Sequence, residues 1–371
     1  MRPGVALGSG LLAVTLAGCS AHRAGGVGLA HEPVAPAMAI GSVGVEPKTL
    51  DLNAKGTAVI RYELFRPASV FVDLVDEEGR VVRTLTRGQQ SKGRRSVVWD
   101  GHADDGALVP SGAYRYVIHA QNRGGGEAVH DPSPVTGGEK IDPRDFAFDA
   151  QTGMVRWIMP RAGYVRLHVG IQGFPYLRTL ADWEPLEAGP QSIAWDGLDS
   201  SGLINVKTHP QLAVTLTAFA LPDNTIIVRG GTGQAAASPR DVTYAANRKP
   251  DTAYLHARHL RTLCHEAGLS LAFPEGTRYD AKGRPVLRGT VPVQVTLNPH
   301  DAPTWINSRF EVALYEDLVF LFEDEDGMTP FTFLWETGRL TPGEHLLTVN
   351  LFSYDDHYGV LTQPAVIEGA S

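Results

Sequence analysis

Two cysteines in 371 residues leave no disulfide framework of the kind that staples small extracellular folds. Basic clusters are also missing. With 33 Lys and Arg against 41 Asp and Glu the net charge is −8, and no stretch is strongly basic, which excludes a nucleic-acid footprint. Beyond the amino terminus no segment approaches 18 consecutive apolar residues, so no membrane-spanning helix is expected. Chemistry is scarce too: Gly-Xaa-Ser-Xaa-Gly is absent after the leader, and Cys-Xaa-Xaa-Cys-His and His-Glu-Xaa-Xaa-His are absent throughout. Gly88 to Arg95 grazes phosphate-loop spacing but carries Arg where Lys belongs and lies between strands. What the chain does have is 43% hydrophobic residues with 20% charged, enough to bury cores. Its 40 glycines and 25 prolines favour short strands and many turns over long helices.

The first residues read as an address. Met1, Arg2 and Pro3 precede an apolar run from Val5 to Ala17, too short to span a bilayer but suited to a secretory signal over residues 1–18. The run ends in Leu16-Ala17-Gly18-Cys19, which resembles the lipobox of bacterial lipoproteins. That resemblance implies cleavage before Cys19 and its acylation, so the lipid bilayer becomes a partner through fatty chains. The alternative is an ordinary signal peptide followed by a chance cysteine. In such lipoproteins a residue like Ser20 after the cysteine goes with outer-membrane sorting, so a cell-envelope location is expected. Residues 19–45, rich in Ala, Gly, Pro and Val, read as a tether reaching about 25–30 Å.

Comparison of the chain with itself shows an internal repeat. Arg61-Tyr62 matches Arg156-Trp157 and Arg83-Thr84-Leu85 matches Arg178-Thr179-Leu180 at an offset of 95, while Trp99-Asp100-Gly101 matches Trp195-Asp196-Gly197 at 96. Such a period suits a small β domain. Val70 to Val75 and Tyr164 to Val169 alternate with period two, as strands do when one face is buried and the other wet. Asp76 to Arg80 supplies a turn in which Gly79 takes positive φ. Each Trp-Asp-Gly predicts a buried tryptophan followed by a sharp turn with backbone N–H groups on the carboxylate.

The run Gly79 to Leu85, then Val97-Val98-Trp99-Asp100-Gly101, Asp104-Asp105-Gly106 and Val109-Pro110-Ser111-Gly112-Ala113-Tyr114, resembles the immunoglobulin-like module named after the flagellar hook-capping protein. The resemblance implies a β-sandwich building block without a flagellar role. The chain lacks that protein's amino-terminal region, and a hook-assembly function is rejected. The expected fold class is all-β, with tandem immunoglobulin-like β-sandwich domains at 46–125 and 140–229. In the second copy Ile204-Asn205-Val206 replaces the Val-Pro-Ser-Gly-Xaa-Tyr ending, so its last strands are expected to be irregular. Residues 230–289 read as a linker with one short helical segment at 251–267, opened by Asp251 after Pro250 and closed by Gly268. Residues 290–371 alternate again. Trp335-Glu336-Thr337 with Gly343-Glu344-His345 is similar to a common bacterial immunoglobulin-like pattern, which implies a third sandwich.

Only His256, His259, Cys264 and His265 carry metal-ligand types close together. On a helix Cys264 and His265 point about 100° apart, so a buried thiol with solvated histidines is the competing reading, and no cofactor is expected. Glu323 to Asp326 and Asp355-Asp356 supply oxygens of the type calcium takes, but read equally as solvated hairpin tips. Two functions follow. One is a non-catalytic, lipid-anchored envelope protein acting as scaffold, adhesin or accessory subunit through protein contacts. The other is a metal-dependent enzyme or carbohydrate-binding component with a site where His256, His259, Asp355 and His357 would meet.

Overall fold

Period-two alternation builds strands throughout the computed structural model, which describes residues 40–173, 175–231, 265–305, 309–353 and 357–369. In the first sandwich β1 (Ile40–Glu46), β3 (Ala58–Leu64) and β6 (Gly93–Trp99) form one sheet. The facing sheet runs β2 (Thr49–Asp51), β16 (Thr225–Arg229), β7 (Gly112–Gln121), β4 (Ala68–Val75) and β5 (Val81–Gln90), with β8 (Glu127–His130) also on β7. Ile60, Tyr62, Val70, Val72, Trp99 and Ile118 fill the space between them.

The second sandwich pairs β10 (Arg144–Asp149), β11 (Met154–Met159) and β14 (Gly189–Ala194) against a sheet ordered β13 (Tyr176–Leu186), β12 (Gly163–Ile171), β15 (Leu212–Ala220) and β9 (Lys140–Ile141). The third sets β17 (Leu269–Ala272), β20 (Thr290–Leu297) and β23 (Phe331–Glu336) against a six-stranded sheet. That sheet runs β18 (Arg278–Tyr279), β19 (Pro285–Leu287), β25 (Tyr358–Ile367), β24 (Gly343–Ser353), β21 (Phe310–Glu316) and β22 (Val319–Gly327). The one α-helix among the described residues, α1 (Ala302–Trp305), is a single turn. No described helix is long and apolar enough to cross a membrane.

The Trp-Asp-Gly expectation holds in both copies. Trp99 and Trp195 are buried, and their Nε1 groups donate to the carbonyls of His102 (3.1 Å) and Leu198 (2.8 Å). Asp100 and Asp196 accept the backbone N–H two residues on, at 3.2 and 2.9 Å. Gly101 sits at φ 79°, where an added Cβ would come within 2.2 Å of the Leu52 side chain, so glycine is required for two reasons.

The tether expected over residues 19–45 gives way at Ile40 to strand β1, which pairs with β3 and packs Val43 and Val45 on the first core, and four further expectations need correction. The end of the second sandwich is regular, because β15 pairs with β12 along its whole length. Val206, entirely buried, donates its N–H to the Gly197 carbonyl as Val109 does to Gly101. Second, residues 225–229 do not belong to the second sandwich. Their strand β16 crosses back into the first, parallel to β2 and antiparallel to β7, so residues 140–221 are an insertion between strands of one sheet. Third, the third sandwich begins near Leu269 and not at 290, since β17 pairs with β20. Finally, most of the predicted helix 251–267 lies outside the described residues, but its end is extended. Glu266 bridges to Tyr358, and Ala267 donates to the Tyr358 carbonyl at 2.7 Å, so tertiary pairing overrides helix there.

Candidate functional site

Alternation in Tyr164 to Val169 predicts a wet face at Arg166 and His168, yet both are buried. They lie where the second sandwich meets the start and end of the third. A bulge in β13 opposite Val165 and Leu167 holds Trp183 at φ 54°. This strained conformation lies beside the contact at which Arg166 reaches Asp182, with N–O 3.3 Å and side chains 7% and 26% exposed. The Arg166 guanidinium also lies 4.4 Å from the Trp183 ring centroid.

Asp182 ties the modules together. Its Oδ2 accepts the Glu266 N–H at 2.7 Å and faces His265 Nδ1 at 3.2 Å. Burial alone would raise its pKa, but the hydrogen bonds from His265 and Glu266 and the Arg166 charge outweigh burial and hold the carboxyl below its ordinary value. The same bond to Asp182 raises the His265 pKa. Burial raises Glu266 and, on the side of the first sandwich, Glu77, whose Oε1 accepts the Ala113 N–H at 2.8 Å.

Beside this pair the His168 ring lies 4.9 Å from Tyr176 and 4.7 Å from Tyr358 between ring centroids, and Phe352 closes the cluster. Burial and then the Arg166 charge lower the His168 pKa to about 3, so its imidazole is neutral. Asn350, fully buried on β24, accepts the Tyr176 N–H (2.9 Å) and donates to the Tyr176 carbonyl (3.0 Å), imitating a strand partner across the module boundary.

Leu318 makes the apolar part of the joint. It lies between β21 and β22 at φ 70°, a turn conformation suited to glycine or asparagine, and packs on the second sandwich's cluster of Val169, Leu177, Trp195 and Val206. Leu318→Ala should destabilise the chain by about 2 kcal/mol. Leu318→Gly should cost less, by about 1 kcal/mol, because it loses the contact and also relieves the backbone. Denaturant midpoints of the two variants give the order, and a larger loss for glycine would show that φ carries no strain.

Cys19, His256, His259, Cys264, Asp355 and Asp356 lie outside the described residues. His357 is among the described residues. It is buried in the third sandwich with its ring 5.6 Å from Trp305. Among the described residues no cluster of three His, Cys, Asp or Glu is placed to hold a metal ion. Glu323 to Asp326 are not a hairpin tip but part of the edge strand β22. The junction residues escaped sequence reading because Arg166, His168 and Asp182 are polar residues in strands, and only the neighbouring module turns their wet face into an interior.

The profile of the FlgD Ig-like domain matches residues 48–124. The basal-body rod modification protein FlgD of Salmonella typhimurium strain LT2 is 39% identical over 95 residues, 23% of this chain and 40% of that protein. Its counterpart in Escherichia coli K12 is 40% identical over 63 residues, 17% of this chain and 27% of that protein. The chain therefore spans two-fifths or less of the curated relatives it matches. Among solved structures, the fibronectin(III)-like modules of Clostridium thermocellum CbhA align with 88% of this chain and 95% of theirs, at 8% identity and a TM-score of 0.20. Residues 48–124 thus carry the FlgD Ig-like domain, in a chain of tandem immunoglobulin-like sandwiches.

Proposed function

We propose that this protein is a lipid-anchored, non-catalytic part of the cell envelope that acts as a scaffold or accessory subunit by presenting surfaces to a protein partner. The observation that carries this reading is the return of β16 into the first sandwich. With the Asp182 junction it turns three modules into one braced body, whereas modules joined by linkers alone would move independently. A body of that kind holds loops and edges at fixed spacing, which suits contact more than chemistry. Acylation at Cys19 would attach it through fatty chains, each buried CH₂ worth about 0.8 kcal/mol. The residues between Cys19 and Ile40 would lift the body off the headgroups.

Growth with an alkyne palmitate analogue tests the anchor. The wild-type chain should take up label and sediment with membranes. Cys19→Ser should lose the label and move to the soluble fraction. An unlabelled wild type, or a Cys19→Ser chain still held on membranes, would overturn the lipid anchor. Crosslinking in intact envelopes that yields no reproducible adduct would overturn the scaffold.

A further inference from the structure

Exposed apolar side chains concentrate on one edge of the third sandwich. β22 is the last strand of its sheet, paired only with β21 among the described residues, and carries Val319 (68% exposed), Phe320 (58%) and Phe322 (38%). Phe322 lies against Phe331 and Phe333 at the border of the opposite sheet, so an aromatic strip spans the open side of the sandwich. The same strand continues as Glu323-Asp324-Glu325-Asp326, with Glu311 of β21 beside it, and Arg309 pairs with Asp326 at 2.6 Å.

Three occupants can be compared. A second copy pairing antiparallel sets carboxylate against carboxylate in registers about Glu323 to Asp326, and in registers about Phe322 sets Asp324 and Glu325 against Phe320 and Val319, so each arrangement leaves carboxylates without a cation. A membrane with anionic headgroups would repel the four carboxylates next to the rings. A cationic chain satisfies both halves, since Lys and Arg carry an alkyl stem that lies on aromatic surface and a charged head that seeks carboxylates. Register shifts against β21 at Leu314/Tyr315 and Phe310/Val312 bulge the strand. Bulges discourage regular backbone pairing, so recognition falls to side chains.

We propose that the β22 edge is a docking surface for an extended, cationic segment of a partner protein, its basic heads on Glu323 to Asp326 and its apolar groups on Phe320 and Phe322. The proposal rests on the scaffold reading and names the chemistry of its partner. The test titrates the chain from Ser20 onward with a blocked Arg-Val repeat peptide as long as β22, with a Glu-Val peptide, and with vesicles of phosphatidylcholine and phosphatidylglycerol. The Arg-Val peptide should bind, weaken with added salt, and lose about tenfold or more in affinity to Glu323→Gln/Glu325→Gln and, separately, to Phe320→Ser. Asp142→Asn/Glu275→Gln removes equal charge from exposed positions elsewhere and should bind as wild type. Equal loss in that control, equal binding of the Glu-Val peptide, no binding, or vesicle binding that depends on Phe320 would each overturn the proposal. Palmitate labelling and envelope crosslinking are read independently, so a failed titration removes this surface and leaves the anchored scaffold standing.

Discussion

Ile226→Asp is expected to unfold the first sandwich, although residue 226 lies far outside the matched module at 48–124. Ile226 is fully buried and belongs to the same core cluster as Trp99, Ile60 and Val228. Its strand supplies hydrogen-bond partners to both neighbours, with Ile226 opposite Tyr114 of β7 and Ile227 opposite Thr49 of β2. A carboxylate there has no cation in its core cluster, and a buried unpaired charge costs upwards of about 4 kcal/mol, comparable with the whole stability of many domains. Ile226→Val removes one methyl group and should cost about 1 kcal/mol. Hydrogen exchange reads the effect locally, because protection at Gly112 to Arg115 and at Thr49 to Asp51 should collapse in the aspartate variant. If β16 merely lay on a finished module, it would peel away and leave β4, β5 and the Trp99 core protected. That pattern would overturn the claim that the module is completed from a distance.

This distant completion shows what the sequence could and could not reveal. Trp99, Asp100 and Gly101 declared their roles because each role is local: a large ring between sheets, a carboxylate on the next amides, a residue free to take positive φ. Repetition at Trp195, Asp196 and Gly197 doubled that signal. Thr225 to Arg229 reads as an ordinary strand, and nothing in its alternation says which sheet receives it. An apolar strand edge fits any open edge of matching register, so the assignment is set by where the chain is led, here by the turn before Thr225, whose N–H bonds to the Pro222 carbonyl. Arg166 and His168 read as wet for the same reason, and Asp182 gives no signal at all: burial by another module leaves no mark in local periodicity. Leu318 carries no such signal either, since a leucine in a two-residue turn is explained only by the pocket it enters.

The polar junction leads to the second large effect, a loss of stability in mild acid that depends on one residue. His168 is 7% exposed, its Nε2 has no hydrogen-bond partner among the described residues, and its folded pKa is about 3. In the unfolded chain it titrates near 6.5. Because the folded value is depressed, the unfolded state binds the extra proton below pH about 6.5, and the contribution of the neutral ring is lost as pH falls toward the folded value. At about 1.4 kcal/mol per pH unit, the loss reaches the order of 4 kcal/mol near the folded pKa. Asp182 adds to it only in stronger acid, because its lowered pKa places its contribution above the ordinary carboxylate range and its loss below. His265 acts in the opposite sense. Its raised pKa gives a contribution that is complete below about 6.5 and fades as pH rises through the folded value. His168→Phe keeps an aromatic ring between Tyr176 and Tyr358 while removing the titration, so its urea midpoint should vary less between neutral pH and about pH 4 than that of wild type. His265→Gln should lose stability mainly at the acid end. A His168→Phe chain with the acid dependence of wild type would mean that the junction opens before its histidine is protonated, and that the second and third modules are not braced there.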